Sequence, residues 1–212
     1  MPDQTASSQL SSAFAVRGNA QLEAQYDTWA ETYDADNAAL GFRLPVLAAA
    51  FFARWVPKGG AVLDAGCGTG LAAENLHILG YRDLVGIDLS RAMLDKAKET
   101  GVFRTLHRMV MGETLDFASN SFSGAIVTGV FTEGHAPHSS FDELIRVVSA
   151  GGHIVFNVRD DIYKHHGFRT KMDALEKAGQ WRLCEKSDPF RPFTISEPEV
   201  VARIFVYEVT AE

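Results

Sequence analysis

The sequence predicts an α/β protein built on a mostly parallel sheet, and three features carry that prediction. The apolar run Val62-Leu63 leads into a turn with three alternating glycines, and a helical pattern follows. A second short apolar run, which begins at residue 84, ends in Asp88. Hydrophobic residues make up 46% of the 212, which suits one domain with a full core. Strand, glycine turn and helix in this order present backbone N–H groups and a helix N-terminus to a ligand.

The N-terminal part of the chain divides into a short tail and a cap. We expect residues 1–18 to be a flexible N-terminus, because most of them are small and polar. Residues 19–212 then form a single domain, in which residues of about 19–56 make a helical cap.

One helical face is predicted between residues 19 and 35, where Tyr26, Trp29 and Tyr33 fall at i, i+3 and i+7. This aromatic face either packs its helix on the domain or covers a ligand crevice. Tyr33 is the better candidate for reaching a ligand, because it lies near the end of the face with Asp34 beside it.

The remaining elements follow apolar periodicity bounded by glycine, proline or capping residues. Gly80 is the expected residue after the end of one helix, and Ser90 is the expected N-cap of the next. The predicted helices cover residues 45–55, 70–79, 91–100, 139–149 and 168–178, and the predicted strands that follow the first one cover residues 84–88, 106–111, 123–129, 153–158, 181–185 and 204–209.

Charge and composition exclude several partners. The net charge is −7, and nucleic-acid backbones normally need a basic face, so no nucleic acid is expected. No apolar run reaches the ~18 residues of a membrane span, and the N-terminus does not resemble a signal peptide. Of the two cysteines, Cys67 sits inside the glycine turn, which argues against a structural disulfide and for a reducing, cytoplasmic compartment. Neither has His or Cys neighbours at metal-ligand spacing, so no metal site is expected.

The glycine turn also indicates the charge of its ligand. Gly66-x-Gly68-x-Gly70 lacks the G-x-G-x-x-G spacing of a dinucleotide fingerprint. Asp64 at the strand end would repel a pyrophosphate, so an uncharged or cationic ligand fits better. Asp88 ends the next strand, 24 residues after Asp64, where an acid typically accepts hydrogen bonds from ribose hydroxyls.

These motifs resemble a known family. Leu63-Asp64-Ala65-Gly66-Cys67-Gly68-Thr69-Gly70 closely resembles the glycine motif of the class I S-adenosylmethionine-dependent methyltransferases, and Asp88 matches the acid that follows it. Ala150-Gly151-Gly152-His153-Ile154-Val155-Phe156 is similar to the turn and fifth strand of that fold. The resemblance covers roughly residues 26–160. It implies a Rossmann-like, doubly wound sheet of seven strands in the order 3-2-1-4-5-7-6, with strand 7 antiparallel and an N-terminal helical lid.

A narrower resemblance concerns two further motifs. Tyr26-Asp27-x-Trp29-Ala30-x-x-Tyr33-Asp34 and Gly134-His135-Ala136-Pro137 are similar to a subgroup typified by the methyltransferase-like protein of the Williams–Beuren region. This subgroup match does not indicate a substrate.

The family resemblance implies S-adenosylmethionine as cofactor and S-adenosylhomocysteine as product. Asp64 is then expected to bind the ammonium group, either directly or through a neighbouring backbone group and a water, and Asp88 both ribose hydroxyls. The family usually places an Asp where this chain has Met111, so we expect the backbone at residues 111–112, or Glu113, to contact the adenine. The candidate cofactor residues are Tyr33, Asp64, Gly66, Cys67, Gly68, Asp88, Leu89, Met93, Met111, Gly112, Glu113 and Val130.

The residues after the fourth strand are candidates for the methyl acceptor, because the end of that strand borders the transferred methyl group in this architecture. The candidate acceptor contacts are Phe131, Glu133, His135 and Arg159. His135 is the candidate catalytic residue, a general base that titrates near neutrality; a structural histidine beside Pro137 is the alternative.

The sequence thus predicts a methyltransferase that acts on a small molecule by direct in-line displacement. Two alternatives stay open: a protein or RNA methyltransferase of the same fold, and a non-catalytic protein that binds S-adenosylmethionine. A nicotinamide-dependent oxidoreductase is a distant fourth, because the glycine spacing and Asp64 disfavour it. The sequence leaves the acceptor and the oligomeric state open.

Overall fold

A computed structural model describes residues 4–132 and 134–210, and its centre is one sheet. Apolar runs with buried residues on both faces form most of its strands, as is typical of parallel sheets covered by helices. The strands are β1 (Val62–Ala65), β2 (Leu84–Asp88), β3 (Thr105–Arg108), β4 (Phe122–Phe131), β5 (Val148–Arg159), β6 (Trp181–Lys186) and β7 (Ala202–Val209).

The strand order is β3-β2-β1-β4-β5-β7-β6. Neighbours from β3 to β5 pair in parallel, and β7 pairs antiparallel with both β5 and β6. The predicted fold is therefore confirmed. Chain connections reverse direction between β1 and β4, and such a reversal opens a crevice at the carboxyl ends of the strands.

Helices cover both faces of this sheet. They are α1 (Gln4–Ala15), α2 (Asn19–Trp29), α3 (Tyr33–Leu40), α4 (Leu44–Trp55), α5 (Leu71–Ile78), α6 (Arg91–Glu99), α7 (Ser140–Val147), α8 (Asp160–His165) and α9 (Phe168–Lys177). On one face Phe141 of α7 and Met172 of α9 pack with Leu63. On the other, Phe52 of α4 and Leu76 of α5 pack on the sheet. None of the helices in these ranges has both the length and the apolar character that a bilayer crossing requires.

The N-terminal region differs from its prediction in two places. The segment expected to be flexible, residues 1–18, contains α1, whose Ala6, Leu10 and Ala13 are buried in a cluster with Trp29. These small or apolar residues recur at i, i+4 and i+7 and so form a narrow apolar face. The average composition of the segment does not reveal this face, because most of the other residues are polar.

The helical face predicted over residues 19–35 is in fact split between two helices, since α2 ends at Trp29 and α3 begins at Tyr33. The break is held by the buried Asp36, whose Oδ2 accepts hydrogen bonds from Trp29 Nε1 (2.7 Å) and Thr32 Oγ1 (2.9 Å). No glycine or proline marks this turn, so its tertiary hydrogen bonds decide where the helix ends.

Several boundaries shift as well. The third strand, predicted over residues 106–111, ends at Arg108, and the fourth, predicted to end at residue 129, continues to Phe131. The fifth begins at Val148 rather than residue 153, so the Ala-Gly-Gly turn lies inside it, where its pairing with β4 is irregular. The predicted N-cap of α6 is confirmed, because Ser90 Oγ accepts a hydrogen bond from the N–H of Met93.

Candidate functional site

A cleft lies at the carboxyl ends of β1, β2 and β4, beneath α2. Its empty volume, with the solvent at its mouth included, is about 720 Å³. The predicted residues that line it are Tyr33, Gly66, Gly68, Asp88, Leu89, Met93, Met111, Val130 and His135. The other lining residues are Asn19, Leu22, Glu23, Tyr26, Ser90, Met109, Val110, Thr128, Gly129 and Ala136.

The turn after β1 forms one wall of the cleft. Gly66 and Gly68 have φ values of 76° and 54°, a conformation that side chains disfavour. A Cβ on Gly66 would lie 2.2 Å from Cγ2 of Val130, whereas a Cβ on Gly68 would meet nothing within 4 Å. The turn therefore brings bare backbone to the cleft, and a ligand can approach it closely.

Asp88, at the end of β2, presents a fixed carboxylate to the cleft. Its Oδ2 accepts from the N–H of Gly68 at 2.8 Å, and its Oδ1 accepts from the N–H of Ser90 at 2.9 Å. Burial raises the pKa of Asp88, and these backbone donors oppose that rise. Each carboxylate oxygen can accept a further hydrogen bond, so the group can hold two adjacent hydroxyls.

Asp64, at the end of β1, lies behind the cleft wall. It is fully buried, and neither side-chain oxygen has a well-formed hydrogen bond within the described residues. Burial raises the pKa of Asp64 to about 8, the charge of Asp88 adds to the rise, and the N–H of Ala73 opposes it. Direct contact with a ligand's ammonium group does not fit this placement. A cation nearby would favour the ionised form of this carboxyl and lower its pKa.

Asp64 also leads us to expect that stability falls as pH rises. Its folded pKa of about 8 lies above the ordinary 3.8, so between these values the folded state holds a proton that the unfolded chain releases. The free energy of unfolding then decreases as pH rises through this window. Asp64→Asn removes the titrating group, and we expect its melting temperature to vary less between about pH 5 and 8 than that of the parent protein. Parallel melting curves in matched buffers measure this, and equal slopes for both proteins would contradict it.

Helices α2 and α3 form the roof of the cleft, and their acidic side chains connect it to the rim. Arg108 donates to both carboxylate oxygens of Glu23, from Nε at 2.9 Å and from Nη2 at 2.7 Å. Ser90 Oγ donates to Oδ1 of Asp27 at 2.5 Å, and Thr69 Oγ1 donates to Oδ1 of Asp34 at 2.6 Å. These contacts join α2 and α3 to the first turn of α6 and to the glycine turn. The two acids of the Tyr-Asp motifs therefore position the roof, a role that the sequence did not indicate.

Aromatic rings line the inner surface of this roof. The ring centroids of Trp29 and Tyr33 are 4.7 Å apart, and those of Tyr26 and Trp29 are 6.0 Å apart. Tyr26 Oη lies 2.9 Å from Nε2 of His135, and the donor of this hydrogen bond depends on the histidine tautomer. Burial raises the pKa of Tyr26, with Tyr33 and Asp88 adding to the rise, so its hydroxyl stays protonated at neutral pH.

A second cavity of about 520 Å³ adjoins the first, and Tyr26, Tyr33 and Gly129 line both. It lies over the carboxyl ends of β4 and β5 and the beginning of β7. Arg159, predicted to contact the acceptor, lines this second cavity rather than the first.

Four predicted residues besides Asp64 lie outside both cavities, and a fifth, Glu133, is not among the described residues. Cys67 is buried behind the turn, in a cluster with Leu94. Phe131 is fully buried in the core, because β4 extends further than predicted. Gly112 and Glu113 are exposed and line neither cavity, since β3 ends earlier than expected.

Sequence reasoning missed a row of lining residues on α2. Asn19, Leu22 and Glu23 precede Tyr26 at helical spacing, so they share its face. Extending the aromatic periodicity towards the N-terminus would have found them.

Comparison with known proteins shows that the chain is similar to methyltransferases. A family model described as a methyltransferase domain matches residues 63–156. Methyltransferase-like protein 27 of Homo sapiens is 32% identical over 163 residues, which cover 74% of this chain and 66% of that protein. The 18S rRNA (guanine-N(7))-methyltransferase RID2 of Arabidopsis thaliana is 30% identical, covering 62% of this chain and 50% of its own length. The chain thus spans about two thirds or less of these curated relatives.

Among solved structures, the [4+2]-cyclase SpnF superposes with a TM-score of 0.71 at 14% identity, covering 93% of this chain and 98% of its own. At that identity the likeness concerns the fold alone.

Proposed function

The chain belongs to the class I S-adenosylmethionine-dependent methyltransferases, and we propose that it transfers the methyl group of S-adenosylmethionine to a small-molecule acceptor. The observation that supports this most is the pair of adjoining cavities. One holds the fixed carboxylate of Asp88, and the other adjoins it across Tyr26, Tyr33 and Gly129.

The residues of the first cavity suit the cofactor. Asp88 would accept hydrogen bonds from both ribose hydroxyls, and the glycine turn would let the nucleoside lie against bare backbone. Leu89 and Met93 offer apolar walls for a base. When bound, S-adenosylmethionine supplies a methyl group on a positively charged sulfur, and S-adenosylhomocysteine is left as product. A positive charge in the cleft would favour the ionised forms of Asp64 and Asp88, whose pKa values burial raises.

The chain itself would align the acceptor with the methyl group and exclude water from the site. The roof of α2 and α3, fastened through Glu23, Asp27 and Asp34, covers the cleft. An acceptor bound in the second cavity would lie next to the cofactor cavity beside Tyr26, Tyr33 and Gly129, which line both cavities. The acceptor atom and the methyl group would align at this junction. We also propose a cytoplasmic location, which the two free cysteines support.

We propose that His135 takes a proton from the acceptor. It lines the cofactor cleft and is hydrogen-bonded to Tyr26, which reaches both cavities. We expect His135→Ala to lower the rate of transfer by roughly a hundredfold or more and to leave the affinity for S-adenosylmethionine within about twofold. Single-turnover rates and calorimetry on the same preparation measure both quantities. An unchanged rate would assign His135 a structural role.

The proposed function is tested by following the methyl label. The purified chain is incubated with methyl-labelled S-adenosylmethionine and a metabolite panel, a protein extract or total RNA. We expect S-adenosylhomocysteine to form and the label to appear in a small molecule, with Asp88→Ala as the inactive control. Label in protein or RNA would show that the acceptor is a macromolecule rather than a small molecule. Cofactor binding without methyl transfer in any fraction would overturn the catalytic proposal.

An RNA methyltransferase is the second candidate, because the name of one relative specifies 18S rRNA. The net charge of −7 and the acidic roof oppose an RNA surface at this cleft.

A further inference from the structure

The second cavity has an apolar and aromatic wall contributed by both ends of the chain. Leu10 and Phe14 come from α1, and Pro192 and Phe193 come from the segment between β6 and β7. Phe42 and Phe193 are stacked, with ring centroids 4.9 Å apart. Such a wall favours a planar, apolar body.

One charged side chain, Arg159, lines this cavity among the described residues. Its side chain is 20% exposed, and its guanidinium lies 4.8 Å from the ring centroid of Phe14. Stacking on an aromatic face holds the guanidinium plane in place and leaves its N–H edges for hydrogen bonds.

The two edges of this guanidinium have different partners. Nε and Nη2 donate to the carboxylate of Asp161, at 3.1 and 2.5 Å. Nη1 lies 3.5 Å from Oγ1 of Thr132, which also lines the cavity. Asp161 is half exposed and does not line the cavity, so this ion pair occupies the edge that is turned away from the cavity. The edge that carries Nη1 is therefore the one next to the cavity, and its long contact leaves donor capacity.

We propose that the methyl acceptor is an aromatic molecule bearing a carboxylate, and that Arg159 binds this carboxylate while the aromatic wall holds the ring. This inference rests on the proposed function, since it places the acceptor of that reaction in the second cavity. A planar guanidinium edge matches a carboxylate, and its partial burial strengthens the attraction relative to open solvent. Thr132 and Asn157 lie in the same wall and add polar contacts near the anion.

The test compares matched ligand pairs on the full chain saturated with S-adenosylhomocysteine. Benzoate, 4-hydroxybenzoate, cinnamate and indole-3-acetate are each titrated beside their own primary amides by ligand-observed NMR. We expect at least one acid to bind about tenfold or more tightly than its amide, because the amide lacks the negative charge.

Variants assign that preference to one residue. Arg159→Gln should reduce the acid-over-amide ratio to within about twofold, whereas Arg159→Lys should retain part of it. Arg182→Gln, an exposed cation on β6 that lines neither cavity, should leave the ratio unchanged. Melting curves confirm that each variant is folded.

The inference is overturned if no acid binds better than its amide, or if Arg159→Gln keeps the preference. A parallel titration with S-adenosylmethionine separates the two proposals. Cofactor binding without acid selectivity refutes this inference alone, whereas absent cofactor binding refutes the proposed function.

Discussion

Replacing Asp88 with alanine should lower the affinity for S-adenosylmethionine by at least about a hundredfold while the chain stays folded. The carboxylate would hold two ribose hydroxyls, and two charge-assisted hydrogen bonds together contribute roughly 3–6 kcal/mol. The fold should tolerate the change, because removing a buried carboxyl relieves a desolvation cost that offsets the loss of its hydrogen bonds from Gly68 and Ser90. Isothermal calorimetry and melting curves measure the two effects.

The controls separate ligand binding from local structure. Asp88 also accepts backbone hydrogen bonds from Gly68 and Ser90, so Asp88→Asn is a milder second variant that keeps one acceptor oxygen. Asp95→Ala removes an exposed carboxylate from α6 and should leave the affinity unchanged. An unaltered dissociation constant in folded Asp88→Ala would remove this residue from the cofactor site.

Replacing Gly66 with alanine should destabilise the protein by roughly 2–4 kcal/mol. Part of the cost comes from a φ of 76°, which an L-residue adopts at about 1–2 kcal/mol, and part from overpacking against Val130, 2.2 Å from the new Cβ. Gly68→Ala is the matched variant, since it has a positive φ but nothing within 4 Å of its Cβ. We expect it to cost only about 1–2 kcal/mol.

Chemical denaturation of the variants measures these differences. Adding Val130→Ala to Gly66→Ala should recover part of the lost stability, because it removes the atom that the new methyl group meets. Equal destabilisation by the two glycine substitutions would show that the contact with Val130 contributes nothing.

The sequence predicted most of the sheet and the floor of the cleft, because both depend on local patterns. The order of the strands followed from a family resemblance. The positions of Gly66, Gly68 and Asp88 followed from a turn and a strand end that the chain specifies within a few residues.

The roof and the buried side of the site depend on contacts between distant segments, and there the sequence was insufficient. The end of α2 is decided by Trp29 and Thr32 donating to Asp36, a tertiary arrangement without a glycine or proline signal. Asp64 has the residue type of a ligand-binding acid, yet its strand end turns it into the interior. Phe131 and Glu113 were misplaced because strand ends moved by two or three residues, which changes the direction of a side chain.

We expect the fixed carboxylate of Asp88 and the bare glycine turn to form the site for S-adenosylmethionine, with Asp64 buried behind that turn. Calorimetric titration of the purified full chain with S-adenosylmethionine tests this expectation most directly. We predict saturable binding at one site per chain, competition by S-adenosylhomocysteine, and a melting temperature that rises with ligand concentration. A folded sample that shows neither heat nor a melting shift at millimolar S-adenosylmethionine would contradict the account.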